Sequence, residues 1–135
     1  MNVRTVTSED LAAIAEIQAS SPEASQWDPK SYLDYDCIVV ADPHVSGFLV
    51  SRQTAPGERE ILNLAVEPSQ RRRGVARALL QGELRREKTQ WFLEVRESNI
   101  GAILLYQSAG FRVAGRRESY YRDPPETGIV MKFDS

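Results

Sequence analysis

The chain reads as an α/β protein (α+β in its strand order), with a mixed, mostly antiparallel central sheet of about 6–7 strands flanked by about 4 helices. Three observations predict this. Apolar runs of strand length alternate with segments whose apolar residues recur at helical spacing. Proline, glycine and short polar clusters separate almost every pair of runs. The 135 residues, 41% hydrophobic and 27% charged, suit one globular domain spanning 1–135, since a domain takes roughly 100–200 residues.

The elements follow in order. Residues 3–7 form a short first strand. Thr7-Ser8-Glu9-Asp10 then supplies a hydroxyl cap and first-turn acids for a helix, because helix N-termini carry unpaired N–H groups and partial positive charge. Leu11, Ile14, Ala15 and Gln18 continue it at helical spacing, and Ser20-Ser21-Pro22 stops it. Asp28-Pro29 opens a short second helix through Leu33. Strands are expected at 37–41 and 47–52, joined by the Asp42-Pro43-His44 turn, with Ala55-Pro56-Gly57 making the next turn. The run Ile61-Leu62-Asn63-Leu64-Ala65-Val66 reads as a central strand buried on both faces. A helix over 72–88 presents Val75, Ala78, Leu79 and Gly82 inward. A strand follows at 91–95, then a helix over 99–109 that Gly110 caps. The last strands are expected at 111–115 and 129–133.

Composition excludes several classes of function. Apolar runs such as Cys37-Ile38-Val39-Val40-Ala41 fall far short of the ~20 residues that a membrane-spanning helix needs. The first residues lack the apolar stretch of a secretion signal. A cytoplasmic location is therefore expected, with no membrane partner. One histidine, His44, and one cysteine, Cys37, cannot build the usual His/Cys zinc site, so no metal is expected. Cys37 reads as a small core residue and His44 as a solvated turn residue. The net charge of −2 hides an asymmetry: residues 1–60 carry four basic and ten acidic side chains, and residues 61–135 thirteen and nine. A basic second half points to an anionic ligand.

That ligand has a natural seat at Gln70-Arg71-Arg72-Arg73-Gly74-Val75-Ala76-Arg77, where a strand gives way to a helix. Helix N-termini disfavour arginines, and an anion docked on their N–H groups reverses that penalty. Gly74 allows close backbone approach and Ala76 keeps the next position small. The spacing matches neither a P-loop nor GxGxxG. A solvated basic turn is the alternative on physics alone. RNA binding is disfavoured because few aromatics stand near the arginines for base stacking, so no nucleic-acid partner is expected.

Asn63-Leu64-Ala65-Val66-Glu67-Pro68 followed by Arg71-x-x-Gly74-x-Ala76 resembles the acetyl-CoA signature of the GNAT superfamily of N-acetyltransferases, Gln/Arg-x-x-Gly-x-Gly/Ala. Leu93-Glu94-Val95-Arg96-Glu97-Ser98-Asn99, the stretch from Ala102 to Phe111, and Arg116-Arg117-Glu118-Ser119-Tyr120-Tyr121 look like the RimI-type branch. Members of that branch acetylate protein N-termini, typically the N-terminal alanine of a small-subunit ribosomal protein. The resemblance implies the GNAT fold and acetyl-CoA as co-substrate. It implies that the backbone of Leu64, Ala65 and Val66 pairs with the pantetheine amides. It gives the pyrophosphate to the N–H groups from Arg72 to Arg77, within the motif that Arg71 opens (Arg72, Arg73, Gly74, Val75, Ala76, Arg77), and a further cofactor contact to Asn99.

Two residues carry the chemistry by the same resemblance. Glu94 stands in the otherwise apolar strand Trp91-Phe92-Leu93-Glu94-Val95, sharing a face with Phe92. A carboxylate there is costly unless paired or used. An ion pair with an arginine is the plain alternative, and the RimI-type pattern makes Glu94 the general base. Tyr106, two helical turns after Asn99, is a packed aromatic by spacing and the general acid by the family pattern. A phenol near pKa 10 donates uphill to a thiolate whose thiol lies at about 8.5, so the site must lower the phenol pKa or the transfer is partial. A peptide groove is implied between the Tyr120-Tyr121 loop and the region of Trp27. The acceptor is an N-terminal α-amine by resemblance. A lysine, a small amine, or a non-catalytic acetyl-CoA-binding module are the other readings.

Overall fold

The computed structural model describes residues 1–41, 43–85, 88–122 and 125–134, the side chain of Arg122 excepted. Its strands are β1 (Val3–Thr5), β2 (Asp36–Ala41), β3 (Val45–Ala55), β4 (Glu58–Val66), β5 (Gln90–Arg96), β6 (Arg112–Arg122) and β7 (Pro125–Asp134). Its α-helices are α1 (Leu11–Ala19), α2 (Val75–Leu84) and α3 (Ile100–Ser108), and a 3-10 helix spans Pro29–Asp34. The strands form one mixed sheet in the order β1-β2-β3-β4-β5-β7-β6. No described helix is long and apolar enough to cross a membrane.

Residue contacts fall into two compact units, and β3 and β4 run from one into the other. The first unit holds Met1–Arg52 and Ile61–Arg86. There β2 pairs antiparallel with β1 and with β3. One face of the sheet buries Val39, Phe48, Val50 and Ala65 with Ile14 and Ile17 of α1 and Tyr32 of the 3-10 helix. The opposite face takes α2. Gly47 is bare because a side chain there would strike Val75 Cγ1 at 2.7 Å and Leu79 Cδ1 at 3.3 Å. Thr7 and Asp10 close the entry to α1, the Thr7 N–H donating to the Asp10 carboxylate at 2.8 Å. Asp28 caps the 3-10 helix by accepting from the Lys30 N–H at 3.0 Å.

The second unit holds Gln53–Glu60 and Glu87–Ser135. Within it β5 runs parallel to the start of β4, Glu58 to Glu60 facing Gln90 to Phe92, and antiparallel to β7, which pairs in turn with β6. Gly110 ends α3 at φ 108°, and a side chain there would meet the Phe133 ring at 2.8 Å. Phe111 therefore packs against both Tyr106 and Phe133, at 5.6 and 5.4 Å between ring centres.

Four expectations need correction. β4 is sealed on one face only: Ile61, Asn63 and Ala65 are buried, while Leu62 and Leu64 stay half-buried. The helix expected from residue 72 begins at Val75, because Arg72 and Gly74 take left-handed backbone at φ 64° and 83°, which no helix continues through. Its buried stripe runs Val75, Leu79, Leu80 and Glu83, with Gly82 exposed at the margin, where a Cβ would lie 3.6 Å from Val3 Cγ1. Finally, β6 and β7 are far longer than expected, so Tyr120 and Tyr121 sit in β6 rather than in a loop. The rest of that expected loop includes Asp123 and Pro124, which lie outside the described residues, as do Asp42 of the first turn and Arg86 and Glu87 near the end of the expected α2.

Candidate active site

The loop expected to bind an anion lies wholly in the first unit. Pro68–Gln70 make a short 3-10 turn, Arg71 is extended, and the chain then turns through Arg72 and Gly74 into α2. Gly74 is the N-cap, so no side chain covers the helix start. The first bond within α2 runs from the Ala78 N–H to the Gly74 carbonyl at 2.9 Å. The N–H groups of Val75, Ala76 and Arg77 precede it and point out of the helix end. A Cβ on Gly74 would meet only Met1 Cε at 3.7 Å, so the approach to those donors is open. The donor set therefore fits a phosphate. The arginines do not crowd the helix start as the sequence suggested: Arg71, Arg72 and Arg73 precede it and Arg77 stands three positions in. Arg73 lines a groove of about 1050 Å3 with Met1, Arg4, Ser46 and Glu67.

Arg71 has other work. Its Nε donates to the Val66 carbonyl at 3.2 Å, and its Nη2 to Ser21 Oγ at 3.1 Å and Glu23 Oε1 at 3.3 Å. The guanidinium thus ties the loop to β4 and to the segment after α1. Asn63 ties the same segment a second time: its amide donates to the Ser25 carbonyl at 3.0 Å and to the Tyr32 hydroxyl at 3.1 Å. Tyr32 donates to Gln18 Oε1, and Gln18 Nε2 donates to the Trp27 carbonyl, both at 2.5 Å. Trp27 itself leaves its ring 41% exposed, tilted 6.4 Å from Tyr32. Sequence reading missed this network, although one signal was present: Asn63 is a polar residue inside an apolar strand, and such a residue needs partners. Cys37 is a core residue as expected, and burial pushes its thiol up to about 12.

The second unit holds Glu94 and Tyr106, the two residues expected to carry the chemistry. On β5, Trp91, Leu93 and Val95 are buried while Phe92 and Glu94 face the other side. Glu94 Oε1 accepts from Arg117 Nη1 at 2.6 Å, so the arginine partner foreseen as the plain alternative is present. Oε2 is buried and accepts no hydrogen bond among the described residues. The Arg117 guanidinium lies 4.4 Å from the centre of the Tyr120 ring, and Arg96 lies 4.4 Å from that of Tyr121. The two tyrosines meet edge to face at 5.0 Å. Burial, with Glu94 close by, pushes the Tyr121 phenol up to about 12.

Tyr106 is buried on α3, and burial, helped by nearby Tyr121, pushes its phenol above the ordinary value. The shift opposes the lowering that full proton donation needs, which leaves partial transfer as the other route. Asn99 caps α3, its Oδ1 accepting from the Ala102 N–H at 3.2 Å. Arg117 is the site residue that sequence reading quoted in a motif and gave no role. Nothing local shows that it reaches across β7 to Glu94.

Three comparisons bear on identity. The family model described as acetyltransferase (GNAT) family matches residues 6–111. The [ribosomal protein bS18]-alanine N-acetyltransferase of Salmonella typhimurium is 33% identical, over 96% of this chain and 94% of that protein. Among solved structures, the ribosomal-protein-S18-alanine N-acetyltransferase of Escherichia coli superposes with a TM-score of 0.81 at 29% identity, covering 98% of this chain and 92% of that one. The fold is also that of Arabidopsis thaliana NAA60 solved with acetyl-CoA, at TM-score 0.85 and 17% identity over 98% and 97% of the two chains. Taken with the loop and the sheet order, these matches place the chain in the acetyltransferase (GNAT) family, as an acetyl-CoA-dependent N-acetyltransferase.

Proposed function

We propose that the chain, as one N-acetyltransferase domain over 1–135, acetylates the N-terminal α-amine of a protein in the cytoplasm, with the N-terminal alanine of ribosomal protein bS18 as the leading acceptor. The observation that carries this reading is the 33% identity, over nearly the full length of both chains, to enzymes named for that reaction. The site residues fit the chemistry. In the first unit, the N–H groups of Val75, Ala76 and Arg77 and the turn through Arg72, Arg73 and Gly74 hold the pyrophosphate of acetyl-CoA. The backbone of Leu64, Ala65 and Val66 lies beyond the stretch of β4 that pairs with β5, and there the pantetheine would add as a strand. Arg71 serves this site by bracing the loop. Asn99 serves by starting α3, and a direct contact from its N–H2 remains open to it.

When bound, acetyl-CoA supplies the thioester that carries the acetyl group. Glu94 takes the proton of the acceptor ammonium, and Tyr106 offers its hydroxyl proton to the departing sulfur as a hydrogen bond. Tyr120 and Tyr121 of the second unit are candidate contacts for the acceptor peptide, and Trp27 of the first unit is a separate candidate. An α-amine of pKa about 7.7–8.0 gives up its proton at pH 7 more readily than lysine at about 10.4, which suits a carboxylate base.

CoA release from acetyl-CoA tests the reading with two matched peptide sets. One set begins with a free alanine, and the other has a blocked N-terminus and free lysines. Turnover confined to the first set is expected. Turnover of the blocked set moves the acceptor to lysine, and silence with both removes the peptide reading.

A further inference from the structure

Three arginines crowd the strands around Glu94. Arg116 bonds Glu97 at 2.8 Å and Arg96 meets Glu126 at 3.3 Å. Arg117 bonds Glu94. Its guanidinium sits between a carboxylate oxygen at 2.6 Å and the face of an aromatic ring at 4.4 Å. A carboxylate and an aromatic face around one cation form a receptor for an ammonium ion. The receptor is built into the fold. β6 bulges between Arg117 and Tyr121, with Ser119 in left-handed backbone at φ 55°, and bulges of this kind re-aim side chains next to functional sites. Gly128 lies beneath, where a Cβ would come within 3.2 Å of the Tyr120 ring and 3.4 Å of Glu94 Oε2. The parts differ in exposure as well. The Glu94 side chain is 13% exposed and that of Arg117 56%. The carboxylate is the sheltered member and the guanidinium the one open to water.

We propose that Glu94 and the Tyr120 ring form the seat of the acceptor's ammonium group, and that Arg117 is an internal stand-in which the acceptor displaces. The proposal rests on the reading of Glu94 as base. A guanidinium does not give up its proton in a protein, so the resting pair is chemically silent. An acceptor arriving as an ammonium ion takes the place of Arg117, which swings to water with its own proton. One N–H bond of the ammonium breaks, its electron pair stays on nitrogen, and the proton goes to Glu94. The pair holds one bond and is open to water on its arginine side, so an arriving cation exchanges with it. The acetylated product is an uncharged amide. Glu94 passes the proton it took to water, and Arg117 then returns to the carboxylate and expels the product. The device selects a cation that can lose a proton, which is what an amine acetyltransferase needs.

Equilibrium binding separates this proposal from its premise. The probe is a short peptide beginning with a free alanine, with the same peptide N-terminally acetylated as control. Arg117→Gln is expected to bind the free peptide about tenfold more tightly than the wild type does and the acetylated peptide equally. Arg117→Lys keeps a cation at the site and is expected to stay near wild type. Methylguanidinium added to Arg117→Gln is expected to restore the weaker binding of the free peptide. Unchanged or weakened binding of the free peptide by Arg117→Gln, in protein that unfolds at the wild-type temperature, overturns the proposal. So does equal tightening of both peptides. The premise is read apart, by turnover of Glu94→Gln: wild-type turnover there removes Glu94 as base while leaving the binding comparison to be judged alone.

Discussion

Two carboxylate–arginine pairs in this molecule look alike on paper and differ in every respect that matters. Asp10 is buried and meets Arg4 through two parallel bonds at 2.8 and 2.9 Å, and it also accepts from the Thr7 N–H and hydroxyl. Both of its oxygens accept hydrogen bonds. Glu94 meets Arg117 through one bond and keeps a buried oxygen without a hydrogen bond among the described residues. A saturated carboxylate holds the chain in place, and a half-used one is available for chemistry. The same contrast separates the neutral network of Gln18, Tyr32 and Asn63, sealed in the first unit, from the exposed cation–tyrosine contacts of the second.

Exchanging the charge at each pair is the sharpest way to break the comparison. Glu94→Gln is expected to lower turnover about 10²–10⁴-fold, the span of a lost general base, with acetyl-CoA affinity and unfolding midpoint nearly unchanged. Asp10→Asn is expected to do the reverse: a loss of about 1 kcal/mol in urea unfolding, the size of a helix-entry cap, with turnover per folded molecule preserved. If both variants lose activity alike, or both lose stability alike, the two pairs are not distinct.

The neutral network gives the next largest effect. Gln18→Leu strands the Tyr32 hydroxyl and part of the Asn63 amide in a buried site. A loss of about 2–3 kcal/mol is expected from unpaired buried polar groups, together with a raised KM for the acceptor peptide. Urea titration and steady-state kinetics check the two halves. An unchanged KM would detach the segment around Trp27 from acceptor binding.

Gly74→Asp sharpens the loop assignment. It places a side chain at φ 83° and a negative charge before the free N–H groups of α2. Acetyl-CoA affinity is expected to fall about tenfold or more, near 1.4 kcal/mol, by isothermal titration. Wild-type affinity in folded protein removes the loop as the phosphate site.

The smallest effect is read from pH. Arg4, first by its hydrogen bond, holds the Asp10 carboxyl down at about 2 against an ordinary 3.8. A lowered folded pKa contributes stability that is complete above the unfolded value and is lost as pH falls through the folded one. Wild-type stability should therefore drop between about pH 4 and pH 2, and Asp10→Asn should flatten that drop. An equal drop in both proteins would assign it to other carboxylates.

Much of this was legible in advance. The strand and helix order, the turn at Gly57, the cap at Gly110 and the face shared by Phe92 and Glu94 all follow from short-range rules of spacing, capping and backbone freedom, and these the residues state locally. The turn at Gly74 into α2 was legible for the same reason, since a glycine acts there through its own backbone. What misled was also local: arginines at residues 71–73 looked like the start of a helix until two left-handed residues placed them ahead of it.

The amino-acid sequence by itself determined the fold class, the glycine-led helix start at Gly74 and the carboxylate that faces away from the core of β5. Only the tertiary structure decided what those groups touch. Arg71 reaches Ser21 and Glu23, Asn63 reaches Ser25 and Tyr32, and Arg117 reaches Glu94. Each contact joins residues more than twenty positions apart, through a register and a bulge set by strand pairing. Side-chain chemistry is written residue by residue, whereas partnership depends on how distant strands align, and that alignment is a property of the whole sheet.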